Sequence, residues 1–146
     1  MADYRLYDLH GLCRVVCDVE SVVGRSVDLH LSHFASPLAH PPRADGTDCA
    51  DIVFHSRLPA PKANHTITLE GLITDDTTVF IKEHQLAIRY TDRRIDVYSQ
   101  RGISPHLFIQ LFGFTRGFSL VHAAGISFRG QGILLPAWGG VGKGPR

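Results

Sequence analysis

The sequence predicts an α+β fold in which a strand-rich N-terminal part leads into the first strands of a phosphate-binding-loop core. Three observations predict it. Short β-branched and aromatic runs recur between residues 66 and 99, a helix-start signature stands at Ser104-Pro105, and an apolar strand runs directly into a glycine-rich loop between Gly132 and Lys143. The boundary is expected near Gly102, with the strand-rich region over 1–102 and the start of the core over 103–146.

Taken in order, Leu12 to Val19 reads as a strand, Val22 to Phe34 as a helix, and the Pro-, Ala-, Asp- and Gly-rich stretch from Pro37 to Cys49 as a loop. Asp51 to Leu58 resumes as a strand. Pro59-Ala60-Pro61 ends it, because proline lacks the N–H that a ladder requires. Thr77 to Lys82, Gln85 to Tyr90 and Arg94 to Ser99, separated by short polar breaks, predict an antiparallel meander. Ser104 is expected to cap a helix with Pro105 at its first position, followed by Leu107, Ile109, Leu111, Phe112 and Phe114. Ser119 to Ala123, Gly125 to Phe128 and Gln131 to Leu135 read as further strands, the last two joined by a hairpin turn around Gly130.

At 146 residues the chain is long enough to bury a sizeable core. Its 44% hydrophobic and 20% charged content is that of an ordinary globular protein. Fifteen Lys and Arg balance fourteen Asp and Glu, so neither nucleic acid nor an anionic membrane is expected as a partner. The apolar runs are far short of the roughly 18 residues that span a bilayer. The N-terminus carries no basic-then-apolar signal pattern, and a cytoplasmic location is expected. Three cysteines, Cys13, Cys17 and Cys49, then read as free thiols.

The segment that carries chemistry is Ala137-Trp138-Gly139-Gly140-Val141-Gly142-Lys143-Gly144. Against the phosphate-loop pattern G-x-x-x-x-G-K-[ST] it keeps the second glycine and the lysine and replaces both ends. Glycines 139, 140 and 142 let the backbone approach phosphates closely, and Lys143 supplies a cation for the β- and γ-phosphates. Ala137 is a mild departure, whereas Gly144 removes the hydroxyl that would ligate Mg²⁺. A glycine-rich stretch can also be a plain tail; the apolar strand Gly132-Ile133-Leu134-Leu135-Pro136 just before it favours the loop.

The run from Leu120-Val121-His122-Ala123-Ala124 through Arg129-Gly130-Gln131-Gly132 to Lys143 resembles the entry to the core of HPr kinase/phosphorylase-like proteins and, more remotely, of phosphoenolpyruvate carboxykinase. The likeness covers about 25 residues well and the preceding 120 only in general plan. It implies a kinase that uses ATP and Mg²⁺ to phosphorylate a hydroxyl on a protein or peptide substrate. It also places His122, 21 residues before Lys143, near the phosphates. An acidic Mg²⁺ ligand, a catalytic base and the helix behind the loop would then lie beyond Arg146, so the chain is expected to be inactive alone and to self-associate through exposed core strands.

Other readings stand beside this one. His122 also reads as a hydrogen-bonded core histidine, and the whole chain as a non-catalytic protein or peptide interaction module with a relic loop. His10, Cys13, Cys17, His30 and His33 do not combine into a zinc pattern, because the histidine spacing is too close, and no metal site is expected. Asp75, Asp76, Asp92 and Asp96 read as turn and surface residues of the meander, and Phe108, Phe112, Phe114 and Phe118 as a packing stripe.

Overall fold

Tyr4–Asp8 (β1) and Arg14–Asp18 (β2), the second with the buried apolar run Val15-Val16-Cys17, pair as an antiparallel hairpin, with Tyr7 opposite Val15 and Leu6 opposite Val16. His10 and Gly11 turn the chain with positive φ, and the Asp8 carboxylate accepts the Gly11 N–H at 2.6 Å. The computed structural model describes residues 3–36, 50–62, 67–69, 72–75, 77–91, 93–121 and 123–136. The expected loop from Pro37 to Cys49 lies outside them.

Helix Val22–Leu31 (α1) starts where Ser21 caps it: the serine Oγ accepts the Gly24 N–H at 3.0 Å and donates to the Asp18 carbonyl at 2.6 Å. Val23, Val27 and Leu31, four residues apart, form its buried stripe. Asp28 accepts from the Tyr7 hydroxyl at 2.8 Å and from Arg5 at 2.9 Å, tying the helix to β1. A single 3₁₀ turn, Ser32–Phe34, leads to the short edge strand Ala35–Ser36 (β3).

The all-apolar run Ile52–Phe54 within Ile52–His55 (β4) suits a strand buried on both sides. It pairs in parallel with β2 on one side and with Ile95–Ser99 (β9) on the other. Asp51 sets this register from one residue. Its N–H donates to the Arg14 carbonyl at 2.9 Å, its carboxylate accepts the Arg14 N–H at 2.8 Å, and its carbonyl accepts the Ile95 N–H at 2.9 Å. Ile67–Leu69 (β5), Leu72–Asp75 (β6), Thr78–Ile81 (β7) and Leu86–Tyr90 (β8) continue from β9 as an antiparallel meander, giving a nine-stranded sheet ordered β3-β1-β2-β4-β9-β8-β7-β6-β5. The meander extends beyond the sequence expectation by β5 and β6.

Helix His106–Arg116 (α2) joins α1 on one face of this sheet, where Phe108, Ile109 and Phe112 meet Phe54, Ile95 and Val97. The rings of Phe54 and Phe108 meet edge to face, with centroids 5.6 Å apart. Three expectations change here. Helical residues begin at His106, with Pro105 in the cap position, and Ser104 reaches the His106 N–H at 3.4 Å. Leu107, Leu111 and Phe114 face away from the sheet, Phe114 being 67% exposed, because α2 carries apolar residues on two sides and its inner face is set by Phe108, Ile109 and Phe112. Ser119 to Val121 form no strand: Gln110 donates to the Ser119 Oγ and accepts the Leu120 N–H, both at 2.8 Å, docking the segment on α2 instead of on a ladder.

Ala123–Phe128 (β10) and Gln131–Pro136 (β11) pair only with each other, as a hairpin whose turn residues Arg129 and Gly130 both have positive φ. The described chain is thus a large, mostly stranded mixed sheet with two helices and a separate hairpin, compatible with the α+β class.

Gly24 is where α1 comes closest to β2: a β-carbon there would lie 1.8 Å from the Asp18 carbonyl oxygen. Gly24→Ala is therefore expected to lower unfolding free energy in urea by about 3 kcal/mol. Gly132→Ala, which meets nothing within 4 Å, is expected to change it by less than about 0.5 kcal/mol.

Candidate functional site

Parallel strands point their carboxyl ends the same way, so β2, β4 and β9 finish at one edge of the sheet. In an open sheet that edge is where ligands are commonly received. Phe54 pairs with Cys17 and His55 with Tyr98, which brings the next residue of β2, Asp18, to the same level. Asp18, Phe54, His55 and Tyr98, with Tyr4, Ser56 and Arg57, line a cleft of about 460 Å³.

The interior of the cleft is fixed by a buried acid. Asp96 sits on the sheet face opposite the helices and is 2% exposed. One carboxylate oxygen pairs with His55 Nε2 at 2.8 Å; the other accepts from Nε and Nη2 of Arg94, each at 3.2 Å. Burial pushes this carboxyl up, but the His55 hydrogen bond and the adjacent Arg94 outweigh it and hold it below the ordinary carboxylate value. Asp96 is an acceptor, so His55 Nε2 carries a proton and donates it. The imidazole stacks on Tyr98 at 4.5 Å between centroids, and the Arg89 guanidinium lies 5.6 Å from the same phenol ring. Arg89 is held in turn by the Thr78 hydroxyl at 3.2 Å.

Asp96 and Asp75 correct the sequence reading, which placed them at the surface. Asp75 is 7% exposed and accepts the backbone N–H groups of Lys62 and Thr78 at 3.2 and 3.1 Å. Asp76 and Asp92 lie outside the described residues. His55, Arg94 and Tyr98 were not foreseen from the sequence. Its one available signal was a charged residue in mid-strand, flanked by Ile95 and Val97, which turn toward the helices while Asp96 turns away.

The expected nucleotide-site residues, His122 and Ala137, Trp138, Gly139, Gly140, Val141, Gly142, Lys143 and Gly144, lie outside the described residues. What is described is their approach: β11 runs to Pro136, the residue before Ala137. Among the described residues no three His, Cys, Asp or Glu side chains gather where they could hold a metal ion, and Gly144 has no hydroxyl for Mg²⁺. Cys13 and Cys17 are free and fully buried, and burial pushes their thiols up to about 12 and about 11, which keeps them protonated. Cys49 lies outside the described residues.

The chain matches no protein-family model, no curated protein and no solved structure. No helix among the described residues is long and apolar enough to cross a membrane.

Asp96 supplies a test of the cleft's framework. Asp96→Asn is expected to cost about 2 kcal/mol at pH 7, because it leaves Arg94 and His55 without their charged partner. The folded-state value of this carboxyl is depressed, so its stabilisation is complete above the unfolded value of about 3.9 and is lost as pH falls through it toward the folded value. Urea unfolding of parent and variant should therefore differ at pH 7 and converge progressively below about pH 4.

Proposed function

We propose that this chain carries the phosphate loop and the adjoining N-terminal part of an ATP-dependent kinase resembling HPr kinase/phosphorylase, with a protein or peptide hydroxyl as acceptor. The observation that carries the reading is the order of elements at its last described strand: β11 ends at Pro136, and the loop Ala137 to Gly144 follows directly, as a strand must precede a phosphate cradle. In this reading the backbone N–H groups around Gly139, Gly140 and Gly142 receive the phosphates, Lys143 neutralises their charge, and His122 lies beside them.

The hairpin before the loop supports the same reading. Ile126 and Ile133 are direct cross-strand partners, and Ile126, Phe128, Ile133 and Leu135 share one face on which each is at least 40% exposed. An isolated hairpin is only marginally stable in water, so an apolar face of this kind fits the opening strands of a larger core. It also fits self-association. Ile126→Thr with Ile133→Thr is expected to cut binding of a hydrophobic dye roughly twofold or more and to lower any concentration-dependent association measured by sedimentation.

A fluorescent ATP analogue tests the loop. Binding should weaken by about tenfold or more in Lys143→Ala. It should respond little to Mg²⁺ in the parent chain and gain Mg²⁺ dependence in Gly144→Ser, which restores the missing hydroxyl. Absence of binding, or binding indifferent to Lys143, would favour the second reading, a non-catalytic protein or peptide interaction module. That reading draws on the cleft at β2, β4 and β9, which is lined by Asp18, His55, Arg57 and Tyr98 among the described residues.

A further inference from the structure

Each polar group in the cleft at the ends of β2, β4 and β9 can be followed to its partners, and what remains unpartnered defines a ligand. Asp18 uses Oδ1 to accept the backbone N–H groups of Asp3 and Glu20, both at 3.1 Å. Among the described residues its Oδ2 has no partner. His55 commits Nε2 to Asp96, and its Nδ1 bonds to no described residue. Arg57 is exposed on the rim and makes no ion pair or hydrogen bond with the described residues. The two opposite charges, Asp18 and Arg57, line one cleft without pairing to each other.

These vacancies exclude the simpler ligands. A polyanion would meet the Asp18 carboxylate, and a bare cation would meet Arg57. An apolar group would strip water from both charges without replacing its hydrogen bonds, at a cost of several kcal/mol. A ligand with a positive and a negative end satisfies both. Its ammonium group donates to Asp18 Oδ2, while its carboxylate accepts from the Arg57 guanidinium. The stacked His55 and Tyr98 rings form a floor already held by Asp96, Arg94 and Arg89, so binding need not order it. The volume, about 460 Å³, is at the small end of ligand pockets and suits a molecule of one or two residues.

We propose that this cleft is a binding site for a small zwitterion, an amino acid or dipeptide, with its ammonium on Asp18 and its carboxylate on Arg57. The inference gives a ligand class to the interaction-module reading and does not depend on nucleotide binding at 137–144.

The test is a titration of the ¹⁵N-labelled chain with alanyl-alanine, its N-acetyl form and its C-terminal amide, followed through the backbone amides of Asp18, His55, Ser56 and Arg57. The free dipeptide is expected to give saturating shifts with Kd on the order of millimolar or tighter. Capping either end is expected to weaken binding about tenfold. Arg57→Gln should erase the penalty for the amide and keep that for acetylation. Asp18→Asn, whose amide oxygen still accepts the Asp3 and Glu20 N–H groups, should do the reverse. Arg57 bonds to no described residue, so its variant decides the matter even if Asp18→Asn is poorly folded. No saturating shift with the free dipeptide, or equal binding of all three forms, would overturn the proposal. Binding of the ATP analogue, measured on the same samples, should be unchanged by Arg57→Gln, so a failed loop and a failed cleft give different results.

Discussion

Asp51 holds the sheet together at the point where its chain-distant parts meet. Three hydrogen bonds from this one residue pin the start of β4 to the starts of β2 and β9. Parallel pairing gives no local turn to set the register, and the chain must travel through a helix on one side and a four-strand meander on the other before the strands meet. Once they meet, Ile52 and Phe54 lie between Val15 and Cys17 on one side and Ile95 and Val97 on the other, and all six turn to the same face. That apolar face is what α1 and α2 cover. The close approach of Gly24 to Asp18 follows from drawing α1 down onto it.

The same register decides what happens on the opposite face. With Val97 turned toward the helices, Asp96 must turn away, into a position next to Val53 that retains almost no contact with water. A carboxylate there is tolerable only with full compensation, which comes from His55 on the neighbouring strand and Arg94 two residues before it. Replacing such a network by apolar side chains often leaves stability unchanged or improves it. Stability therefore does not explain why an acid stands in this strand. What the acid does is orient an imidazole at the mouth of a cleft.

How much of this was legible in the sequence differs between elements. Strands β2, β4, β7, β8 and β9, helices α1 and α2 and the β10–β11 hairpin follow from periodicity and from turn and capping residues, all local signals. Parallel pairing of β2, β4 and β9 has no local signature, because a short apolar run such as Ile52–Phe54 says that a strand is buried and not which strands flank it. The cleft inherits that blindness: Asp18, His55 and Tyr98 lie far apart along the chain and become neighbours only through the register. Asp96 was visible as a charge inside a strand, yet its partner His55, 41 residues earlier, was not. The inner face of α2 was illegible for another reason: Leu107, Leu111 and Phe114 on one side and Phe108, Ile109 and Phe112 on another make two apolar stripes, and the pattern does not say which one meets the sheet.

The cleft and the glycine loop place different demands on the chain. The cleft is made by the nine-stranded sheet, whose buried side-chain polar atoms all have partners among the described residues. The approach to the loop is made by β10 and β11, which among the described residues pair with each other alone and keep an exposed apolar face. An ion-pair network such as His55–Asp96–Arg94 orients side chains only as well as the sheet beneath it is ordered, and here Asp51 orders that sheet from within. A phosphate loop derives its rigidity from the strand that precedes it, and β11 has one ladder partner where β4 has two. The two candidate sites therefore rest on physically separate supports: a change that loosens the hairpin should leave the cleft's geometry intact, and one that disturbs the Asp51 clamp should act on the cleft first.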